Sequence, residues 1–233
     1  VNSDEALARL DEFIADGRPH QVATVNPEFI AAAQKDPLFA EILNRTHLNL
    51  PDGQGLIWAA RILGTPLKQR VTGVDTVLKL AGLSAQKGYR LYLLGAAEGV
   101  AAAAARELQL RFPGLRIAGS QAGSPLPRED QRLVNEIKRT NAQVLFVAYG
   151  APQQEKWIAR NQEHLAIPLA MGVGGAFDFV SGEAKRAPQW VQRMGLEWLH
   201  RLVCQPWRWR RMLALPRFVL LVLSQRYGSR ADR

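Results

Sequence analysis

The chain has 233 residues, 47% hydrophobic and 22% charged, with a formal net charge of +9 and one cysteine. That length suits one domain, or one domain with an appendage, and the apolar content can fill a sizeable core. A lone cysteine excludes a disulfide framework and a thiolate metal cluster, and the histidines at 20, 47, 164 and 200 show no ligand spacing.

Strands and helices alternate along the chain. The opening residues VNSDEALARLDEF are acidic and helical in pattern, which predicts no signal peptide. VATVN (22–26) reads as a strand and runs into PEFIAAAQ, with Pro27 suited to a first helical position. THLNL (46–50) is a second strand, followed by the turn PDG and the helical LIWAARIL. GYRLYLLG (88–95) is apolar and β-rich and feeds EGVAAAAARELQLRF, which ends near Pro113-Gly114. LRIAG (115–119) is a further strand, followed by a polar loop and a helix over 129–139. AQVLFVAYG (142–150) is almost continuously apolar, as a strand covered on both faces should be. APQQEKWIARN then leads to IPLAMGVGGAFDF (167–179). The order predicts an α/β fold, a mostly parallel sheet with helices on both faces. The segment 24–75 is compatible with a small separate lobe or with part of the same sheet.

After Pro188 the pattern is helical to about Gln225. We divide the chain into an α/β core, 1–192, and a helical Arg/Trp-rich appendage, 193–233. The appendage carries nine arginines and two acidic residues, +7 of the +9. Its longest apolar run, 212–223, holds Pro216 and Arg217 and is too short for a bilayer span, which needs about 20 residues. The expected place is the cytoplasm or its face of a membrane. The mixture of Arg, Trp and Leu suits a helix lying in a membrane interface, with guanidinium groups on lipid phosphates. It also suits nucleic acid, or aromatics that glue a terminal helix to the core. The bare aliphatic run FVLLVL argues against nucleic acid. Cys204, set among apolar and tryptophan residues, is expected to be a small buried hydrophobe.

Ligands of open α/β sheets bind outside the carboxyl ends of the strands. Those ends here are TVNP (24–27), LPDGQG (50–55), LLGAAEG (93–99), AYGAPQQE (148–155) and MGVGGAFD (171–178). The turn bracketed by Gly95 and Gly99 could hold a phosphate on its backbone N–H groups, or simply be tight. Gly172, Gly174 and Gly175 allow close backbone approach to a ligand. Asp52 is the acid–base candidate; a turn aspartate bonding its own backbone is the plainer alternative. Asp75 fits a helix cap. Asp178 fits a cap or an acceptor of ribose or base hydrogen bonds. Thr24 and Asn26 leave an apolar strand as neutral polar groups, and one of Gln153, Gln154 and Glu155 could complete a helix cap.

Taken together, TVNPEFI (24–30), LPDGQGLIWAARILG (50–64), RVTGVD (70–75), YLLGAAEGV (92–100), VAYGAPQQEKW (147–157) and 172–202 make the chain resemble the WecG/TagA/CpsF family of bacterial glycosyltransferases, glycosyltransferase family 26. The likeness covers nearly the whole chain. It implies a Rossmann-like fold and an inverting enzyme that passes a sugar from a UDP-sugar donor to a saccharide on polyprenyl diphosphate. The place implied is the cytoplasmic face of the bacterial inner membrane, with peripheral attachment to its anionic surface. The sugar implied is N-acetylmannosamine, a related uronate or glucose. By the same likeness Asp52 is the base, Thr24 and Asn26 lie at the reacting centre, and Arg70 and Gln154 belong to the catalytic set. Asp178 is assigned to nucleotide binding, and Arg201, Arg208 and Arg211 to closing over the diphosphate; Gly95, Ala96 and Gly174, at the glycine-rich strand ends, are further substrate-binding candidates. The chain has no DxD pair, so the expectation is metal-independent transfer with no cofactor, arginines and backbone N–H groups taking the place of a cation. A nicotinamide-dependent oxidoreductase and a basic nucleic-acid-binding protein are the rival readings.

Overall fold

The computed structural model describes residues 1–228, apart from the side chains of Arg193 and Arg208. Helix α1 (Ser3–Asp16) begins with a capping box, in which Asn2 Oδ1 accepts from the Asp4 and Glu5 N–H groups and the Glu5 carboxylate accepts from Asn2 N–H. Strand β1 (His20–Val25) is buried throughout. Helices α2 (Pro27–Ala33) and α3 (Pro37–Arg45) each open on a proline, and the Asn26 and Asp36 side chains accept from Phe29 N–H and Phe39 N–H. Strand β2 (Leu48–Pro51) precedes α4 (Gln54–Ile62) and α5 (Gly73–Lys87). Then follow β3 (Arg90–Gly95), α6 (Val100–Arg111), β4 (Arg116–Gln121) and a 3₁₀ turn, Pro127–Glu129. Helix α7 (Asp130–Arg139), β5 (Val144–Ala148), α8 (Gln153–Leu165), β6 (Leu169–Gly172) and α9 (Ala176–Val180) complete the alternation.

The six strands form one parallel sheet in the order β2-β1-β6-β5-β3-β4. Residues 24–75 therefore belong to the same sheet and form no separate lobe: β1 pairs with β2 on one side and with β6 on the other. Successive strand residues point to opposite faces. Leu91 and Leu93 pack with α1, α5, α6 and α9, whereas Tyr92 and Leu94 pack with α7 and α8. Ala23 and Val25 meet α2 and α3 on that second face. The chain leaves β1 toward one face, through α2, and leaves its neighbour β6 toward the other, through α9. Connections that diverge in this way open a crevice at the strand ends.

The C-terminal part is helical, as its pattern predicts, and is divided into several segments. It comprises α10 (Gln189–Arg193), α11 (Glu197–Cys204), a 3₁₀ turn (Pro206–Arg208), α12 (Trp209–Met212) and α13 (Ala214–Gly228). Helix α13 lies on α2 and α4, burying Phe218 and Val222 against Ala59, with Ile30, Leu56 and Leu63 alongside. Phe218 and Val222 are one helical turn apart and share a face, while Val219 and Leu220 between them face solvent. Cys204 is exposed, contrary to the expectation of a buried hydrophobe, because α11 buries no residue fully. Among the described residues no helix is long and apolar enough to cross a membrane.

Candidate active site

The carboxyl ends of the strands and the C-terminal helices enclose a cleft of about 760 Å³. Thr24, Asn26, Asp52, Arg70, Gln154, Ala96, Gly174, Asp178, Arg201 and Arg211 all line it, although they are scattered over most of the sequence. Gly95 does not line it. Its φ of 108° and its approach to the Ala148 backbone, 2.7 Å from where a Cβ would stand, give it the task of letting β3 turn against β5. Arg208 is placed in the 3₁₀ turn, and its side chain lies outside the described residues.

Asp52 leaves the end of β2 and accepts from Gly73 N–H at 3.2 Å, so it bonds across to the N-terminus of α5 and not within its own turn. Burial pushes its carboxyl up to about 7; the Gly73 N–H and the Arg70 guanidinium resist that rise, while Glu197 and Asp75 add to it. Thr24 Oγ1 donates to the Gly172 carbonyl at 2.9 Å, tying the end of β1 to β6. Asn26 caps α2, its Oδ1 accepting from Phe29 N–H at 3.2 Å.

Gln154 is almost wholly buried, at 1% exposure, and both its amide oxygen and its amide nitrogen are engaged. Its Oε1 accepts from both Gly150 N–H and Gly174 N–H at 3.0 Å, and its Nε2 donates to Glu155 Oε1 at 2.7 Å. This side chain thus fixes the loops that follow β5 and β6. Gly172 is required beneath it, since a Cβ there would stand 2.6 Å from Gln154 Nε2. Glu155 has no exposed surface, and burial pushes its carboxyl up to about 7 against the opposing Gln154 hydrogen bond.

Four arginines flank the cleft. Arg70 Nη2 donates to Glu197 Oε2 at 3.2 Å. Arg186 grips Asp75 with two hydrogen bonds, 2.6 and 2.9 Å, and donates through Nε to Glu197 Oε1 at 3.1 Å. Arg201 lies 3.9 Å from Asp178 and 4.8 Å over the Phe179 ring; burial lowers its pKa, and Asp178 works against that. Arg211 reaches Glu28 on α2 at 2.6 Å. Asp75 does not cap α5. Thr72 does, accepting from Asp75 N–H at 3.1 Å and donating from its hydroxyl to Asp75 Oδ2 at 2.6 Å. Burial tends to raise the Asp75 carboxyl, but the Arg186 and Thr72 hydrogen bonds outweigh it and hold it below its ordinary value.

Arg186 and Glu197 were not singled out from the sequence. Both lie within the segment 172–202 and pair with each other across 11 positions, but nothing local marks them, because the cleft residues they meet, Asp75 and Arg70, are 111 and 127 positions away. Among the described residues no group of three or more His, Cys, Asp or Glu is arranged to hold a metal ion.

A parallel α/β sheet with a cleft at diverging strand ends, a buried carboxyl pushed up toward neutrality and a rim of arginines is an arrangement suited to an anionic ligand and to proton transfer. The family model described as "Glycosyl transferase WecG/TagA/CpsF family" matches residues 1–232, and the chain belongs to that family of sugar-transferring enzymes. It is 38% identical over 205 residues to an N-acetylglucosaminyldiphosphoundecaprenol N-acetyl-beta-D-mannosaminyltransferase of Bacillus subtilis, covering 88% of this chain and 79% of the relative. Proteins of the same name from Bacillus spizizenii and Staphylococcus aureus are 35% and 32% identical, covering 89% and 85% of this chain and 80% and 77% of theirs.

Proposed function

We propose that the protein transfers a hexose of the N-acetylmannosamine type from a UDP-sugar to an acceptor saccharide on polyprenyl diphosphate, with inversion at the anomeric carbon. The observation that carries this reading is Asp52, a carboxyl poised at about 7 in a cleft flanked by Arg70, Arg201 and Arg211. An acceptor hydroxyl attacks the anomeric carbon as the bond to UDP breaks, and Asp52 takes the hydroxyl proton. The charge left on the diphosphate falls to the arginines and to backbone N–H groups of the glycine-rich strand ends. Thr24 and Asn26, on the same rim, orient the reacting groups. Gln154 holds the Gly150 and Gly174 loops in place around them.

Attachment to the cytoplasmic face of the bacterial inner membrane accompanies this reading. Trp190, Val203, Trp207, Trp209 and Leu220 are exposed on the C-terminal helices beside basic residues, a composition suited to an interfacial helix surface. The names of the curated relatives support a diphosphoundecaprenol-linked acceptor.

The experiment is a panel of UDP-sugars against short-chain polyprenyl-diphosphate-linked N-acetylglucosamine, with and without EDTA. Transfer from UDP-N-acetylmannosamine that persists in EDTA is expected. No transfer from any UDP-sugar would overturn the reading. Loss in EDTA with restoration by Mg²⁺ or Mn²⁺ would overturn metal independence alone.

A further inference from the structure

Glu197, the first residue of α11, reaches into the strand-end cleft from the C-terminal helices. The chain comes close to the core just before it: Gly195 has φ 75°, and a Cβ there would stand 2.6 Å from Gln54 Cγ. From this anchor Glu197 bridges two guanidinium groups, accepting from Arg70 at 3.2 Å and from Arg186 at 3.1 Å. Arg186 in turn holds Asp75, and Asp75 bonds Thr72, the cap of the helix whose Gly73 N–H donates to Asp52. All three bridging side chains are mostly buried, Arg70 at 17% exposure, Arg186 at 21% and Glu197 at 20%. Among the described residues, the ion pair of Arg70 is with Glu197 and not with Asp52.

We propose that Glu197 is a positioning residue that holds the Arg70 guanidinium off Asp52, leaving the Asp52 carboxylate unpaired for proton transfer. The physical reason is competition. A buried guanidinium seeks a carboxylate, and one paired directly with Asp52 would stabilise the ionised form and weaken it as a base. Supplying Arg70 with a second carboxylate removes that demand. Arg186 cannot satisfy Arg70, being itself a cation, and Asp75 is already engaged by Arg186. The charged groups that face Asp52 are therefore Arg70, from the segment before α5, Asp75 on α5, and Glu197 and Arg201 on α11. Because Glu197 belongs to the C-terminal helices, the basicity of Asp52 depends on those helices being seated. The functional consequence rests on Asp52 acting as the base; the placement of Arg70 does not.

The test reads the Asp52 carboxyl directly, by NMR titration of full-length protein labelled with ¹³C-aspartate, the resonance being assigned by its loss in Asp52→Asn. The wild-type midpoint is expected at about 7. Glu197→Gln should lower it by about one pH unit or more as Arg70 swings to Asp52. Glu197→Asp, which keeps the charge on a shorter arm, should lower it by less. In an Arg70→Met background the effect of Glu197→Gln should fall to under about half, the coupling expected of groups acting through one another. An unmoved midpoint in Glu197→Gln, or an equal shift with and without Arg70, would overturn the proposal. The acidic limb of kcat/KM should move with the midpoint. If Asp52→Asn keeps normal turnover while the titration still responds to Glu197, the base assignment fails and the positioning of Arg70 stands.

Discussion

Asp52 sits where opposed influences meet. Burial raises its carboxyl to about 7, and one backbone N–H and one guanidinium restrain the rise. A base works only when ionised, so kcat/KM should climb with pH through about 7. Asp52→Asn should lower turnover by about 10²–10⁴-fold with UDP affinity little changed; near-normal turnover would remove Asp52 from that role. The same raised pKa has a stability consequence. A carboxyl whose folded pKa exceeds its unfolded one contributes stability that is present below the unfolded pKa and lost as pH rises through the folded pKa. Relative to wild type, Asp52→Asn should therefore gain about 2–3 kcal/mol between pH 5 and pH 8, roughly 5–10 degrees in melting temperature. An equal difference at both pH values would contradict the raised pKa. The proline–glycine-bracketed turn made Asp52 legible in the sequence. Its partner Gly73, 21 positions on, was not legible, because only the pairing of β1 with β2 and the placement of α5 bring the two together.

At the scale of elements, short-range chemistry was readable and long-range seating was not. Pro27 opens α2 as its fixed φ predicts, and the caps at Asn26 and Asp36 follow from side chains that accept from the first free N–H groups. The C-terminal segment showed a basic, aromatic composition but not its breaks at 194–196, 205–208 and 213, nor which of its aliphatics face inward. Those are chosen by α4, which offers Ala59 to Phe218 and Val222. Phe218→Ala should cost about 3 kcal/mol locally, at the low end for a buried phenylalanine since α13 packs at the edge of the core. Hydrogen–deuterium exchange should show faster exchange across α13 with the sheet unaffected. Unchanged protection of α13 would mean that this contact does not seat it. The exposure of Cys204 has the same origin, because a helix that rests on the core without being covered leaves its outer residues in water whatever their type.

Across the whole molecule, charge and apolar surface are unevenly placed. The residues from 193 onward hold +7 of the formal +9, and the same helices expose Trp207 at 71% and Val203 at 71%. An exposed apolar surface beside cations is suited to an anionic membrane. Deleting this segment would be a poor test, since it would also remove Glu197 from the cleft and uncover the Ala59 face of α4. A cleaner one changes only outward residues: Trp207→Ser with Leu220→Ser should reduce co-sedimentation with phosphatidylglycerol-containing liposomes about tenfold, with melting temperature preserved. Unchanged sedimentation would defeat membrane attachment through this surface.

The sequence by itself determined the α/β alternation, the strand-end motifs, the family resemblance and the concentration of positive charge at one end. These depend on residue type and on spacing within a few positions, where side-chain periodicity, proline and caps act directly on the backbone. Tertiary structure decided the strand order, the inclusion of 24–75 in the sheet, and the Glu197–Arg70–Arg186–Asp75 network beside Asp52. Those arise from contacts beyond the reach of local pattern, from about 25 positions for β1 with β2 to 127 for Arg70 with Glu197. Which guanidinium meets which carboxylate is fixed only when the sheet has ordered its strands and the C-terminal helices have settled over their ends.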